Sequence, residues 1–342
     1  MKRFLVVWVL CFILVFNLNL FSAKIDDDLK DVLSGQTFLA EDFKTIAGFL
    51  TSELGKWMPF TTTAGNNTPA NVCALPGFAI GGTFGITMNK FNIDGLKSLS
   101  LDYMSVDDVA KKLPATIALP TMNVYLKTGI IGLPVFKADV GIRFLPLNIN
   151  ITSNDTTFIF KNYLFGIDLR AQILEDSLLS PLGLLAILSL DFISGNFEIT
   201  SKQESTQRVT VNSTDYDLTI TGKNKWATDW TMQSIGIKLI ANKSIAFFSP
   251  FVGAGLNINM GVLNSNIGIE GDVTLKDIPP LTGSATGKSG LIGTASKSPN
   301  GLDFRLIAGF ELGLIPFSKL GLGFEWGGEV YSITAGLKIQ IP

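Results

Sequence analysis

The chain has 342 residues, and its 27 basic and 29 acidic side chains leave a formal charge of −2. That balance gives no electrostatic footprint for nucleic acid, so no nucleic-acid partner is expected. Histidine is absent, which excludes Ser–His and Cys–His nucleophilic catalysis, histidine base chemistry and histidine metal ligation. No acidic pair stands in a context that favours hydrolysis, so the chain is expected not to be an enzyme and to hold no cofactor and no metal. Charged residues are only 16% of the chain against 46% hydrophobic ones, too few for the wettable surface of a soluble domain.

Residues 1–23 have the layout of a cleaved signal peptide: Lys2 and Arg3, an apolar run over 4–16, then Ser22 and Ala23. Beyond it, no apolar run approaches the ~20 residues that a spanning helix needs. Residues 24–60 form an N-terminal helical segment. In it Phe43, Ile46, Ala47, Leu50 and Leu54 recur at steps of three and four, the spacing of one helical stripe, and Pro59 is expected to end the helix. Residues 61–76 are turn-rich and read as a linker.

Residues 77–342 alternate between large apolar and small or polar side chains in ten stretches: 77–89, 121–130, 135–145, 162–173, 182–193, 230–241, 247–260, 302–314, 318–327 and 330–341. The third is the clearest, with Phe136, Ala138, Val140, Ile142 and Phe144 on one face and Lys137, Asp139, Gly141 and Arg143 on the other. Most are long enough to cross a bilayer at a tilt, about 9–11 residues. The connections alternate as well, short after even-numbered strands and long and polar after odd-numbered ones, notably 194–229 and 261–301. These features predict an all-β fold, an antiparallel transmembrane β-barrel of about ten strands. The count rises to twelve or fourteen if 96–106, 197–221 or 265–275 also pair. The rival, a soluble barrel with its apolar face inward, needs a richly charged outer face. The first strand offers only Gly77, Ala79, Gly81, Thr83, Gly85, Thr87 and Asn89 there. The barrel reading places the chain in the outer membrane of a diderm (Gram-negative-type) bacterium. Its partners are then outer-membrane lipid, the outer-membrane assembly machinery and a small hydrophobic ligand.

The inward register holds Lys137, Asp139, Arg143, Asp168, Arg170, Asp191, Lys238, Asp303, Arg305, Glu311, Lys319, Glu325 and Lys338 as lumen-lining residues. It also holds a wall of glycines, Gly81, Gly85, Gly253, Gly255, Gly309, Gly313, Gly321 and Gly323. Sharp curvature and close approach of another element both call for glycine there. The apolar stripe of 41–58 needs burial. The expectation is that it plugs the lumen against this wall, with Ala47 and Gly48 approaching Gly81, Gly85, Gly309 and Gly323. The glycine-rich stretch 283–293 lacks P-loop spacing and reads as an outer loop.

Over residues 77–342 the pattern resembles outer-membrane β-barrel proteins as a class. The helical segment before the first strand is similar in layout to the long-chain fatty-acid transporters, whose N-terminal region plugs the barrel. The resemblance implies transport: passage or binding of small, hydrophobic molecules. The alternative is a non-conducting barrel whose outer loops serve adhesion or envelope structure.

Overall fold

The computed structural model describes residues 29–65, 72–73, 75–101, 106–107, 110, 115–133, 136–153, 155–176, 182–211, 214–276, 285–315 and 317–341. The expected signal peptide, 1–23, and residues 66–71 of the expected linker lie outside the described residues. Helix α1 (Leu29–Thr63) comes first. Strand β1 (Phe78–Lys90) and a short helix α2 (Ile93–Lys97) follow, then β2 (Thr116–Leu133), β3 (Phe136–Ser153) and β4 (Thr156–Leu174). The remaining strands are β5 (Gly183–Val211), β6 (Thr214–Asn242), β7 (Phe248–Lys276), β8 (Ala285–Lys297), β9 (Leu302–Ile315), β10 (Ser318–Trp326) and β11 (Val330–Ile341).

Neighbouring strands pair antiparallel from β1 to β7 and from β9 to β11, and β1 pairs with β11 to close the ring. On its second edge β7 carries both β8 and β9. Leu263 faces Lys297 and Ile258 faces Leu302, which is one register. Strands β8 and β9 are therefore a single strand interrupted over residues 298–301, and the closed ring has ten strands among the described residues.

Two expectations are corrected. The stretches 194–229 and 261–301 are not loops but mainly strand, because β5, β6 and β7 each run 29 residues. At about 3.3 Å per residue that is roughly 95 Å of strand, several times what a bilayer crossing needs. The stretch 283–293 likewise lies largely in β8.

The outward face tells where lipid ends. On β5 it reads Leu184, Ala186, Leu188, Leu190 and Phe192, then Ser194, Asn196, Glu198 and Thr200. The inward face changes at the same level from Ser189 and Asp191 to buried Ile193, Phe197 and Ile199. Below this level the wall is apolar outside and holds the ions inside, beside a small apolar cluster that includes Leu185 and Ile187; above it the wall is polar outside and apolar inside. Tyr163 and Trp326 stand exposed near the transition, in the place of an aromatic girdle.

Above the transition the sheet is open. Pairing of β2 with β3 begins at Val124 and Phe144, so Leu145 to Ser153 have no β2 partner, and β8 pairs only with β7 among the described strands. Helix α1 lies against β7 and β8 inside this half-barrel. Its buried stripe shares one core with Leu145, Phe158, Phe160, Phe197, Trp226, Trp230 and Leu263. Phe91 and Leu96, from the connection between β1 and β2, cover the same core, and Phe91 packs edge-on against Phe49 at 5.8 Å.

Pro59 does not end the helix, which continues to Thr63 and takes in three residues of the expected linker. A proline in a helix leaves the carbonyl four residues earlier without its donor. Here that carbonyl belongs to Gly55, and it accepts the backbone N–H of Asn300 from the strand interruption at 2.7 Å. The last turn is further tied by Thr61, Thr62 and Thr63, whose hydroxyls donate to the carbonyls of Trp57, Met58 and Pro59.

Candidate functional site

The site is the lumen and the segment that fills it. Strand alternation aims the inward charges at one another, and they form three tiers. In the upper tier Arg305 binds Asp303 (Nη2–Oδ2 2.6 Å) and Glu325 (Nη1–Oε2 3.2 Å) and stacks on Phe60 at 4.4 Å. The same guanidinium donates to Thr63 Oγ1, and Glu325 Oε1 accepts the Gly65 N–H at 2.6 Å. The carboxy-terminal end of α1 is thereby fastened to the wall. Asn123 adds a side-chain N–H to the Ala64 carbonyl at 2.8 Å.

In the middle tier Arg143 makes a two-pronged contact with Asp168 (2.8 and 3.0 Å) and a third bond to Asp191 (2.7 Å). All three side chains are 1% exposed, and this pairing offsets their desolvation. Gly166 makes room for it, since a Cβ there would lie 2.3 Å from Asp191 Oδ1. Lys238 is buried between the upper and middle tiers, within electrostatic reach of Glu325 and Asp168.

The lower tier pairs Arg170 with Asp139 (3.7 Å) and Lys338 with Glu311 (3.0 Å), with Lys319 3.4 Å from the same Glu311. Asp139 also accepts the Cys73 N–H at 2.8 Å. Of the expected lumen-lining residues only Lys137 stands apart, at the mouth, where it bridges to Glu175. Sequence reasoning missed Lys127, which is 2% exposed and lies 4.5 Å over the Tyr125 ring. Its signal was in view, because it occupies the register opposite Met122, Val124 and Leu126.

Phe43, Ile46, Ala47, Leu50 and Leu54 are all buried inside the sheet. Their contact with the glycine wall, however, is corrected. The close approaches of α1 are to Gly293 of β8, where a Cβ would lie 2.1 Å from Lys44 N, to Gly327, where a Cβ would lie 2.7 Å from the Phe60 ring, and at Gly55, whose own Cβ would lie 3.2 Å from the Ser298 carbonyl. Gly48 has open space beside it. Most of the wall is covered by neighbouring side chains instead: Tyr125 lies over Gly81, Thr334 over Gly85 and Gly323, Ile240 over Gly253, Lys238 over Gly255 and Phe251 over Gly309. The physical reason is flatness. A glycine in one strand lets a large inward residue of the next lie along the wall.

Gly313 and Gly321 remain open. Gly313 lines a vestibule of about 520 Å³ at the short-turn end, with Val72, Lys137, Gln172, Lys319 and Gln340. Above it Gly321, Gly323 and Gly336 border a space of about 30 Å³, the size of one or two waters. The lumen narrows from the short-turn end toward the upper tier.

The closed ring, the outward apolar belt and the inward ion tiers together decide the architecture. The fold is that of an outer-membrane β-barrel. A family model described as Lsa36-like matches residues 188–341, from near the start of β5 to the end of β11. Comparison with curated protein sequences finds no match. Among solved structures, the chain is similar to the translocator domain of the autotransporter NalP from Neisseria meningitidis. Identity is 8% over 81% of this chain and 91% of that one, with a TM-score of 0.30. It is similar to an outer membrane channel from Pseudomonas putida F1, with 9% identity over 80% and 99% of the two chains and a TM-score of 0.32. It is also similar to the Pseudomonas putida toluene transporter TodX, with 8% identity over 84% and 92% and a TM-score of 0.24.

Proposed function

We propose that the protein is a closed, non-enzymatic barrel of the diderm outer membrane that raises a folded β head on the outer side for adhesion or envelope structure. The supporting observation is the fastening of α1: Arg305 and Glu325 hold Thr63 and Gly65 across the lumen while the rest of the helix is cored within the head. Passage of solutes calls for an open lumen, and here the upper and middle tiers are filled by side chains and helix. Turns of two or three residues occur at both ends, contrary to the expected alternation, so the orientation follows from the strand extensions: β5, β6 and β7 project beyond the lipid belt on one side, and bacterial barrels carry their larger projections outside.

The test is conductance of the refolded full chain in planar bilayers, beside a variant lacking residues 24–58. The full chain is expected to be silent, and the deletion, which keeps residues 59–65 with the Arg305 and Arg143 tiers, to be silent as well. Steady channels from the full chain would overturn the closed reading. A second reading, binding of a small hydrophobic molecule from the short-turn side, is favoured by the vestibule, which falls in the size range of ligand pockets. Mass spectrometry of extracts from natively purified protein tests it, and the absence of any co-purifying small molecule counts against it.

A further inference from the structure

The direction in which the N-terminal segment runs through the barrel can be read from a ladder of contacts. Phe43 and Lys44 of α1 lie against Gly293, which pairs with Ile267 well above the membrane transition. Gly55 meets Ser298 and Asn300 at the strand interruption. Thr63 meets Arg305, and Gly65 meets Glu325. Val72 packs with Ile187, Ile240 and Phe251, and Cys73 reaches Asp139. Gly132, beside the β2–β3 turn, sits against Leu75, and Gly77 accepts the Gly129 N–H. The chain thus descends from the head to the short turns and only there turns back into β1.

Two independent lengths agree with this path. From Lys44 to Thr63 a helix rises about 30 Å at 1.5 Å per residue. The strand stretch from Gly293 to Arg305, at about 3.3 Å per residue and a tilt near 40°, also climbs about 30 Å. The fifteen residues from Leu29 to Phe43 continue the helix by about 20 Å more, toward the far end of β7 and β8.

We infer that the segment is threaded outward, so that Leu29, the amino end of α1, stands toward the distal tip of the head, on the face opposite the start of β1. It deepens the surface-head reading by making the amino end of α1 part of the outer surface. It also sets an order on assembly. A signal peptide delivers the N-terminus to the inner side first, so α1 and the head strands must cross together while the ring is still open.

The inference rests on the orientation proposed for the head, and the experiment separates the two. In a Cys73→Ser background, single cysteines are placed at Leu29→Cys, at Asn212→Cys between the sequences of β5 and β6, and at Ser244→Cys between β6 and β7. Cells expressing each are treated with a membrane-impermeant maleimide before and after permeabilisation. The expected result is labelling of positions 29 and 212 on intact cells and of 244 only after permeabilisation. Labelling of 212 but not 29 on intact cells overturns the threading and leaves the head outside. Labelling of 244 alone on intact cells, with 29 and 212 both protected, keeps the threading and overturns the orientation. An epitope inserted between Asp28 and Leu29, read by antibody on intact cells, repeats the measurement without any cysteine exchange.

Discussion

The backbone N–H of Asn300 donates to the carbonyl of Gly55 at 2.7 Å, replacing the donor that Pro59 cannot supply within the helix. One vacancy in a helical ladder and one in a strand ladder thus satisfy each other, as buried backbone groups require. The interruption over residues 298–301 is therefore part of the seat of α1.

The seat is tested by two glycines. Gly293→Val should force α1 off β8, because its Cβ would meet backbone of Phe43 and Lys44 that cannot swing aside. Overpacking of this kind costs about 1–3 kcal/mol or more, read as a lower urea midpoint of the refolded protein. Gly48→Ala, with open space beside it, should be neutral or gain about 0.5–1 kcal/mol from helix propensity. Equal effects of the two would place α1 elsewhere.

Removing Arg305 should be costly. Arg305→Met leaves the Asp303 and Glu325 carboxylates buried without their cation, at about 3–5 kcal/mol. Glu325→Gln keeps an oxygen for the Gly65 N–H and should cost less. Urea unfolding monitored by loss of the heat-modifiable band ranks them, and the reverse ranking would show that Glu325 alone fastens the helix.

The lipid boundary predicts a contrast within one face of β5. Leu188→Arg should destabilise by about 2–4 kcal/mol, the usual cost of arginine at mid-bilayer on a barrel. Asn196→Arg, eight residues up the same outward register, should be near neutral because it lies in water. Refolding yield and unfolding midpoint in phospholipid bilayers read both, and a penalty at 196 would raise the boundary.

How much of this was legible follows from the same faces. Leu184 to Phe192 on the outward side and the thirteen inward charges could be read by alternation alone, because lipid and burial reward a strict period of two. The head was not, although Phe197 and Ile199 alternate as cleanly with Asn196 and Glu198. Their apolar face turns inward, the opposite of the membrane segments, so the stretch looked polar. Pro59 misled because its effect on Gly55 is repaired from a residue 245 positions away in sequence. The glycine wall was visible as composition, but which side chain lies over each glycine depends on register between strands, which one strand's sequence does not carry.

Asp176 offers a pH test at the short-turn end. Burial raises its carboxyl, but the Lys243 ammonium and the Ser244 N–H and hydroxyl outweigh that and hold it below the usual carboxylate range. A depressed folded value stabilises above the unfolded value, near 3.9, and the gain is lost as pH falls through the folded value. Wild type should exceed Asp176→Asn in urea midpoint by a constant margin above about pH 5, with the two converging in acid. A margin that persists at the lowest pH would mean that the charge is not what matters.

The continuity of β5 and β6 from the short turns to the β5–β6 hairpin has a mechanical side. Each is one uninterrupted 29-residue strand, and every residue from Gly183 to Val211 faces a partner on β6. A pull on the tip of the head has no flexible joint to extend. It loads the ladders to β4 and β7 lengthwise, where many hydrogen bonds must shear at once. The head is in that sense a stiff post whose footing is the membrane wall itself, and whatever grips its tip grips the barrel.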